Sequence, residues 1–128
     1  MKPIVTDKAP AAFGPFSQAM AANGMIFTSG ALPLAPDTGA LVDGGIAEQT
    51  HQTLKNLLAV VEAAGASVGN IVQVVIYLTD MEDFNKMNEV YGSYFGEHLP
   101  ARATVGVNAL AKGALVEIQA IAAFEHLI

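Results

Sequence analysis

The feature that most constrains the fold is the order of helix-like and strand-like spacings of apolar residues after residue 45. Residues 46–65 carry an apolar stripe with helical spacing, and residues 70–79 are rich in β-branched residues that alternate as in a strand. A second helical stripe follows at 81–96, and two alternating segments, 101–109 and 115–123, come after it. The two stripes consist of Leu54, Leu57, Leu58 and Val61, and of Phe84, Met87, Tyr91, Tyr94 and Phe95. A strand between two amphipathic helices predicts a sheet covered by helices.

Turn and capping residues divide the chain into elements. "ANG" at 22–24 predicts a hairpin turn, and residues 32–45 predict a loop that holds short extended pieces. The first helix is expected to begin near Asp43 or the following glycines and to end at Gly65, and Thr79 or Asp80 is expected to cap the second. The resulting order of strands, helix, strand, helix and strands predicts a single α+β or split βαβ domain over 1–128. Both helices are expected to pack on one face of a mixed sheet.

The balance of apolar and charged residues indicates an oligomer. Hydrophobic residues make up 52% of the 128 residues and charged residues only 14%, so we expect other copies of the chain to cover part of the apolar surface. The longest apolar runs fall far short of the roughly 20 residues that span a bilayer. Pro3 and Asp7 interrupt the position of a secretory h-region, and no cysteine is present. These facts predict a cytoplasmic homo-oligomer with no membrane partner.

The charge distribution disfavours two kinds of site. A formal net charge of −6 with scattered lysines offers no basic face to a nucleic acid. Glu48 and His51 have the spacing of a di-iron helix motif, but no second copy of that motif exists. The three histidines, His51, His98 and His126, show no spacing typical of metal ligands.

The last two alternating segments each have one polar face. Arg102, the only arginine in the chain, alternates with Thr104, Gly106 and Asn108, and we expect this set to face away from the helices. Glu117 shares the corresponding face of 115–123 with Gln119. If the two segments pair, Arg102 and Glu117 share a polar cleft. The alternative is a solvated face with a weak surface salt bridge.

Several stretches resemble the Rid (reactive intermediate deaminase, YjgF) family over about residues 9–123. They are "APAAFGPFSQA", "IFTSGALPL", "GGIAEQTHQTLKNLLAVVEAAGAS", "DMEDFNKMNEVYGSYF" and, most specifically, "PARATVGVNALAKGALVEIQAIA". The resemblance implies a chorismate-mutase-like fold and a homotrimer with clefts between subunits. It also implies hydrolysis of 2-imino acids, the enamine and imine products of pyridoxal-phosphate dehydratases, to 2-oxo acids and ammonia, with no metal or cofactor.

The resemblance also implies site residues. Arg102 matches the arginine that binds the substrate carboxylate, and Glu117 matches the acidic residue that holds or activates water. A guanidinium suits a carboxylate because it donates two parallel hydrogen bonds, which lysine does not. The matching cleft positions are Ser29, Gly30, Phe84 and Asn88. For Phe84 a core role, and for Ser29 and Asn88 turn and helix-surface roles, remain open alternatives.

Some positions depart from the family pattern. Phe16 stands where tyrosine is usual, Ala31 where glutamine is common, and Thr104 where cysteine is frequent. Gln119 and Gly106 also differ. We expect a functional cleft that is shifted toward substrates with more apolar side chains.

Two other functions stay open. One is a non-catalytic trimer that binds 2-oxo or amino acids and acts through a partner protein; it would keep Arg102 but would not need Glu117. The other is a nuclease, which the net charge of −6 and the single arginine disfavour.

Overall fold

A computed structural model of the chain describes residues 1–124 and shows an α+β arrangement of six strands and two α-helices. The strands are β1 (Lys2–Ile4), β2 (Ala19–Ala22), β3 (Met25–Thr28), β4 (Ile71–Leu78), β5 (Ala101–Gly106) and β6 (Val116–Ala123). The helices are α1 (Ile46–Ala63) and α2 (Phe84–Phe95). The predicted α+β class is confirmed, and the short strand β1 is an addition that the sequence pattern did not predict.

All six strands form one mixed sheet in the order β1-β2-β3-β6-β4-β5. Neighbouring strands are antiparallel except for β4 and β5, which are parallel. The parallel pair is connected through α2, so β4, α2 and β5 form a βαβ unit at one edge of the sheet. The last strand of the chain, β6, lies between β3 and β4.

The element ends follow from local chemistry. Asn23 and Gly24, both with positive φ, form the predicted hairpin turn between β2 and β3. Helix α1 begins after Gly45, whose backbone N–H donates to the Glu48 carboxylate at 2.9 Å. Gly65, with a φ of 92°, ends that helix. Asp80 caps the short 3₁₀ turn that leads into α2, because its carboxylate accepts from Glu82 N at 2.9 Å.

Both helices cover one face of the sheet. Leu54, Leu57 and Val61 of α1 and Met87 of α2 are at most 1% exposed. The strand residues packed in the same core are Val74, Ile76 and Leu78 of β4 and Val116, Ile118 and Ala120 of β6. The predicted helical stripes and the predicted inward face of 115–123 are therefore confirmed.

The predicted orientation of the segment 101–109 is wrong. Arg102 pairs with Val74 and Thr104 pairs with Ile76, and paired residues point to the same face of a sheet. Because Val74 and Ile76 lie beneath the helices, Arg102 and Thr104 also lie on the helix-covered face. The strand ends at Gly106 rather than at residue 109.

The condition for a shared cleft within one chain is not met either, because β4 lies between β5 and β6. Alternation separates the two faces of a strand but does not identify the covered one. On β5 the small apolar residues Ala101 and Ala103 are exposed, together with Val105.

Candidate functional site: two separate polar clusters

Five of the candidate residues come together beside one cavity of about 330 Å³. We call them the glutamate cluster: Phe16, Ser29, Gly30, Ala31 and Glu117. The chain leaves β3 and runs along β6, where Ala31 and Ile118 exchange two backbone hydrogen bonds of 2.7 and 3.0 Å. This bridge places Gly30 directly beside Glu117.

The contact between Gly30 and Glu117 leaves no room for a side chain at position 30. A Cβ on Gly30 would lie 2.6 Å from Cδ and 2.9 Å from Cγ of Glu117. Glycine is therefore required for the carboxylate to occupy its present place.

Ser29 fixes the position of the loop that carries Gly30 through two hydrogen bonds. Its hydroxyl donates to the backbone carbonyl of Ser17 at 2.6 Å, and its backbone N–H donates to the carbonyl of Gln18 at 3.0 Å. The structure thus gives the Ser29 hydroxyl a backbone partner, which agrees with the turn role left open in the sequence.

Glu117 is half-buried, and burial raises its pKa above the usual value. Desolvation disfavours the charged form of a carboxyl group, so the ionised Glu117 is a stronger base than an exposed glutamate. A carboxylate of this kind is suited to accepting a proton from a water molecule near neutral pH.

Two phenylalanines form one wall of the cavity. The rings of Phe13 and Phe16 meet edge to face at a centroid distance of 5.5 Å, and Phe16 remains 45% exposed. The Lys112 ammonium makes a cation–π contact with Phe13, at 5.0 Å from the ring centroid. This wall has no hydroxyl group, in contrast to the tyrosine that the family resemblance would place at position 16.

The remaining candidates form a second group together with Tyr91, which we call the arginine cluster: Phe84, Asn88, Tyr91, Arg102 and Thr104. The Arg102 guanidinium carbon lies 4.8 Å from the ring centroid of Tyr91 and 5.6 Å from that of Phe84. Burial raises the pKa of Tyr91, and the positive charge of Arg102 opposes that rise. The two rings hold the guanidinium against α2, where its charge is only partly hydrated.

Three polar atoms of the arginine cluster are buried without a hydrogen-bond partner among residues 1–124. They are Asn88 Oδ1, Tyr91 OH and Thr104 Oγ1. An unpaired buried polar group costs about 1–3 kcal/mol, and such groups in a native protein usually have a role or an absent partner. They provide hydrogen-bonding capacity for a ligand or for a neighbouring chain.

Tyr91 was not among the residues singled out from the sequence as site candidates. It was assigned to the apolar stripe of α2, and it is indeed 8% exposed and packed in the core. The available signal was its spacing, since Phe84, Asn88 and Tyr91 lie at i, i+4 and i+7 on one side of a helix. Phe84 packs on the core, as the alternative role required, and its ring centroid also lies 5.6 Å from the Arg102 guanidinium carbon. Its contact with a substrate stays a prediction.

The glutamate and arginine clusters lie on opposite sides of the sheet. Arg102 shares the face of Val74, beneath the helices, whereas Glu117 pairs with Tyr77 on the other face. The structure therefore does not bring Arg102 and Glu117 together within one chain. A site that uses both groups requires clusters from two chains.

His51 and His98 take part in neither cluster. His51 Nδ1 lies 3.1 Å from Tyr94 OH, His98 Nε2 lies 2.7 Å from the Ile71 carbonyl oxygen, and His126 is outside the described residues. Within residues 1–124, no three His, Asp or Glu side chains are grouped so that they could hold a metal ion. Over the same residues, neither helix is long and apolar enough to span a bilayer.

Comparison with known proteins adds a family match and close relatives. The family described as endoribonuclease L-PSP matches residues 6–124. A RutC family protein of Pyrococcus horikoshii is 50% identical over 93% of this chain and 94% of its own length. The 2-iminobutanoate/2-iminopropanoate deaminase of Mus musculus is 49% identical over 94% of this chain and 90% of its own. The crystal structure of Escherichia coli TdcF with bound serine matches with a TM-score of 0.93 and 41% identity, over 98% of this chain and 100% of that one.

Proposed function

This chain belongs to the endoribonuclease L-PSP family, the Rid family that its motifs resemble, and on that premise we propose that it hydrolyses 2-imino acids to 2-oxo acids and ammonia. The substrates are of the 2-iminobutanoate and 2-iminopropanoate type. The name of the mouse relative, at 49% identity, supports this activity. The reaction consumes water and the imine only, so we expect no cofactor or metal.

The observation that carries the proposal is the arginine cluster. Arg102 offers a planar pair of donors that matches the carboxylate of a 2-imino acid. Asn88 Oδ1, Tyr91 OH and Thr104 Oγ1 lie buried and unpaired in the same cluster. A small ligand with a carboxylate and a nitrogen donor is suited to both features. The bound serine in TdcF is a molecule of that kind.

Glu117 is assigned the proton transfers. It accepts a proton from water while the water oxygen bonds to the imine carbon and the C=N π electrons move to nitrogen. The proton then passes to that nitrogen, which gives a carbinolamine with one hydroxyl and one amino group. Glu117 next carries the hydroxyl proton to the amino nitrogen, the C–N bond breaks as the carbonyl forms, and ammonia leaves. Because an imine carbon is already electrophilic, positioning and one base are sufficient for this sequence.

The assembly proposed is a homotrimer in which each cleft combines the glutamate cluster of one subunit with the arginine cluster of the next. The location of the two clusters on opposite faces of one sheet supports this arrangement. So does the sheet face that the helices leave open, where Phe27 is 42% and Val105 is 40% exposed. A monomer would leave that apolar face in water. A cytoplasmic location remains the expectation from composition.

A binding protein without catalysis is the second candidate, and the serine held by TdcF is the observation that favours it. Glu117→Ala separates the two functions. It should abolish turnover if the protein is an enzyme, and it should leave ligand binding intact in either case. The nuclease function suggested by the family description is disfavoured by the net charge of −6.

The direct test couples the purified protein to a serine or threonine dehydratase and follows decay of the released imine. The wild type should accelerate imine loss, and Arg102→Ala should lower kcat/KM by about 10- to 100-fold, as expected for losing a charged hydrogen bond. Lys86→Ala, which removes an exposed positive charge from α2, is the matched control and should behave as the wild type. If the wild type does not accelerate imine decay, the enzyme function is wrong.

A further inference from the structure

The cavity beside the glutamate cluster is larger than the smallest proposed substrates require. Its volume is about 330 Å³, whereas an engineered protein cavity of about 150 Å³ binds benzene. The methyl or ethyl side chain of a 2-imino acid would leave most of this space unfilled. A branched or aromatic side chain would fill it far better.

The polar side chains that line the cavity are already occupied, with one exception. The amides of Gln18 and Asn56 and the hydroxyls of Thr28 and Ser29 each hydrogen-bond to backbone groups of neighbouring segments at distances of 2.6–3.0 Å. Glu117 is the polar lining residue whose side chain makes no hydrogen bond within residues 1–124. A ligand therefore meets an apolar surface with a single free carboxylate.

The rest of the lining is apolar. Phe13 and Phe16 supply aromatic surface, and Leu57 and Val60 of α1 supply aliphatic surface. Ala31, which pairs with Ile118 and packs against the core on the helix side, contributes only a methyl group to the cavity lining. A longer side chain at position 31 would occupy part of this volume.

We propose that this cavity receives the side chain of the substrate, so that the protein prefers 2-imino acids with branched or aromatic apolar side chains, such as 4-methyl-2-iminopentanoate. The inference rests on the proposed function, because it takes Glu117 as the group next to the reacting carbon. A substituent on that carbon then extends into the apolar cavity that Glu117 lines. Burying each further methylene there favours binding by about fourfold.

Binding of the corresponding 2-oxo acids tests the cavity without relying on turnover. Titration calorimetry of the wild type should give a Kd for 4-methyl-2-oxopentanoate at least about tenfold lower than for 2-oxopropanoate, which has three carbons fewer. Equal or weaker binding of the larger acid would overturn the inference. Because this measurement uses the unmodified protein, the outcome does not depend on how a variant folds.

Kinetics with a cavity-filling variant provide the second test. An L-amino acid oxidase forms each imine from its amino acid while reducing O₂ to H₂O₂, which catalase removes, and imine loss is then followed. The wild type should favour the leucine-derived over the alanine-derived imine in kcat/KM, and Ala31→Leu should reduce that ratio by about tenfold or more. Ala63→Leu adds the same volume at an exposed position on α1 and should leave the ratio unchanged.

The outcomes separate this inference from the proposed function. If the wild type hydrolyses both imines with equal kcat/KM, or if Ala31→Leu and Ala63→Leu give the same ratio, the cavity does not select the side chain although the protein is a deaminase. If the larger 2-oxo acid binds more tightly but no imine is hydrolysed, the cavity assignment stands and the catalytic proposal fails.

Discussion

Gly30 determines where the candidate base lies. A methyl group at this position would collide with the Glu117 side chain, at 2.6 Å from Cδ and 2.9 Å from Cγ. We expect Gly30→Ala to displace the carboxylate and to lower kcat/KM for imine hydrolysis by about 100-fold, the loss associated with a misplacement of about 1 Å. Steady-state kinetics measure this loss, and circular dichroism checks that the fold is retained.

Gly92→Ala is the control for that substitution. Gly92 lies within α2 with nothing within 4 Å of an added Cβ, so alanine should keep full activity and raise stability by up to about 1 kcal/mol. Wild-type activity in Gly30→Ala would show that the position of the Glu117 carboxylate is not important for the reaction.

The raised pKa of Glu117 predicts the pH dependence of the reaction. The base acts in its ionised form, so kcat/KM should fall as pH decreases through a pKa that burial holds above the ordinary glutamate value of 4.5. The acidic limb of the profile should therefore lie at higher pH than for an exposed glutamate. The acidic limb should be absent from the pH profile of the low residual activity that Glu117→Gln retains. An unchanged limb in that variant would assign the titration to another group.

Candidate site residues could be predicted from the sequence better than the groups that they contact. The family resemblance assigned the single arginine to a carboxylate site, which stays a prediction, and the structure places its guanidinium carbon 4.8 and 5.6 Å from the centroids of two aromatic rings. The Ser29 hydroxyl donates a hydrogen bond to the Ser17 carbonyl, 12 residues away in the sequence. A local sequence pattern cannot predict such a partner. Tyr91 was missed because a core aromatic residue and a site residue occupy the same apolar stripe.

At the level of elements, the prediction failed for β5. Both helices and strands β4 and β6 were located from hydrophobic period and turn chemistry, with ends within three residues. The outward and inward faces of β5 were exchanged because its alanines resemble core residues. Alanine is small enough to occupy either face, so the face is decided by which strand pairs with which, and that pairing is non-local.

The loop that carries Leu32 and Leu34 depends on a buried side chain of α1. Asn56 is 2% exposed, and its Nδ2 donates to the carbonyls of both leucines at 2.9 and 2.8 Å. Asn56→Ala leaves the Leu34 carbonyl without its donor, whereas the Leu32 carbonyl still accepts from Leu34 N at 2.9 Å. We expect the free energy of unfolding to fall by about 1–3 kcal/mol. Urea denaturation at a fixed protein concentration measures the change.

Asn85→Ala provides the comparison for this measurement, because Asn85 is exposed on α2. Its effect should stay within about 0.5 kcal/mol. If both substitutions have the same small effect, Asn56 does not hold the loop against α1.

At the level of the whole molecule, composition predicted that other copies of the chain cover part of the apolar surface. An apolar content of 52% with 14% charged residues agrees with a sheet that has helices on one face only. The sequence did not reveal that the two candidate clusters are divided between the faces. That division follows from the register in which β4 pairs with β5 and with β6, which no local pattern contains.

The central claim is that each site combines the glutamate cluster of one subunit with the arginine cluster of the next. Mixing two impaired variants, Arg102→Ala and Glu117→Ala, tests it most directly. After equimolar co-refolding, random assembly of trimers should create an intact Arg102–Glu117 pair at about one site in four. Imine hydrolysis should therefore recover to about a quarter of the wild-type rate. Activity no higher than that of either variant alone, in a sample shown by mass spectrometry to contain mixed trimers, would contradict the composite site.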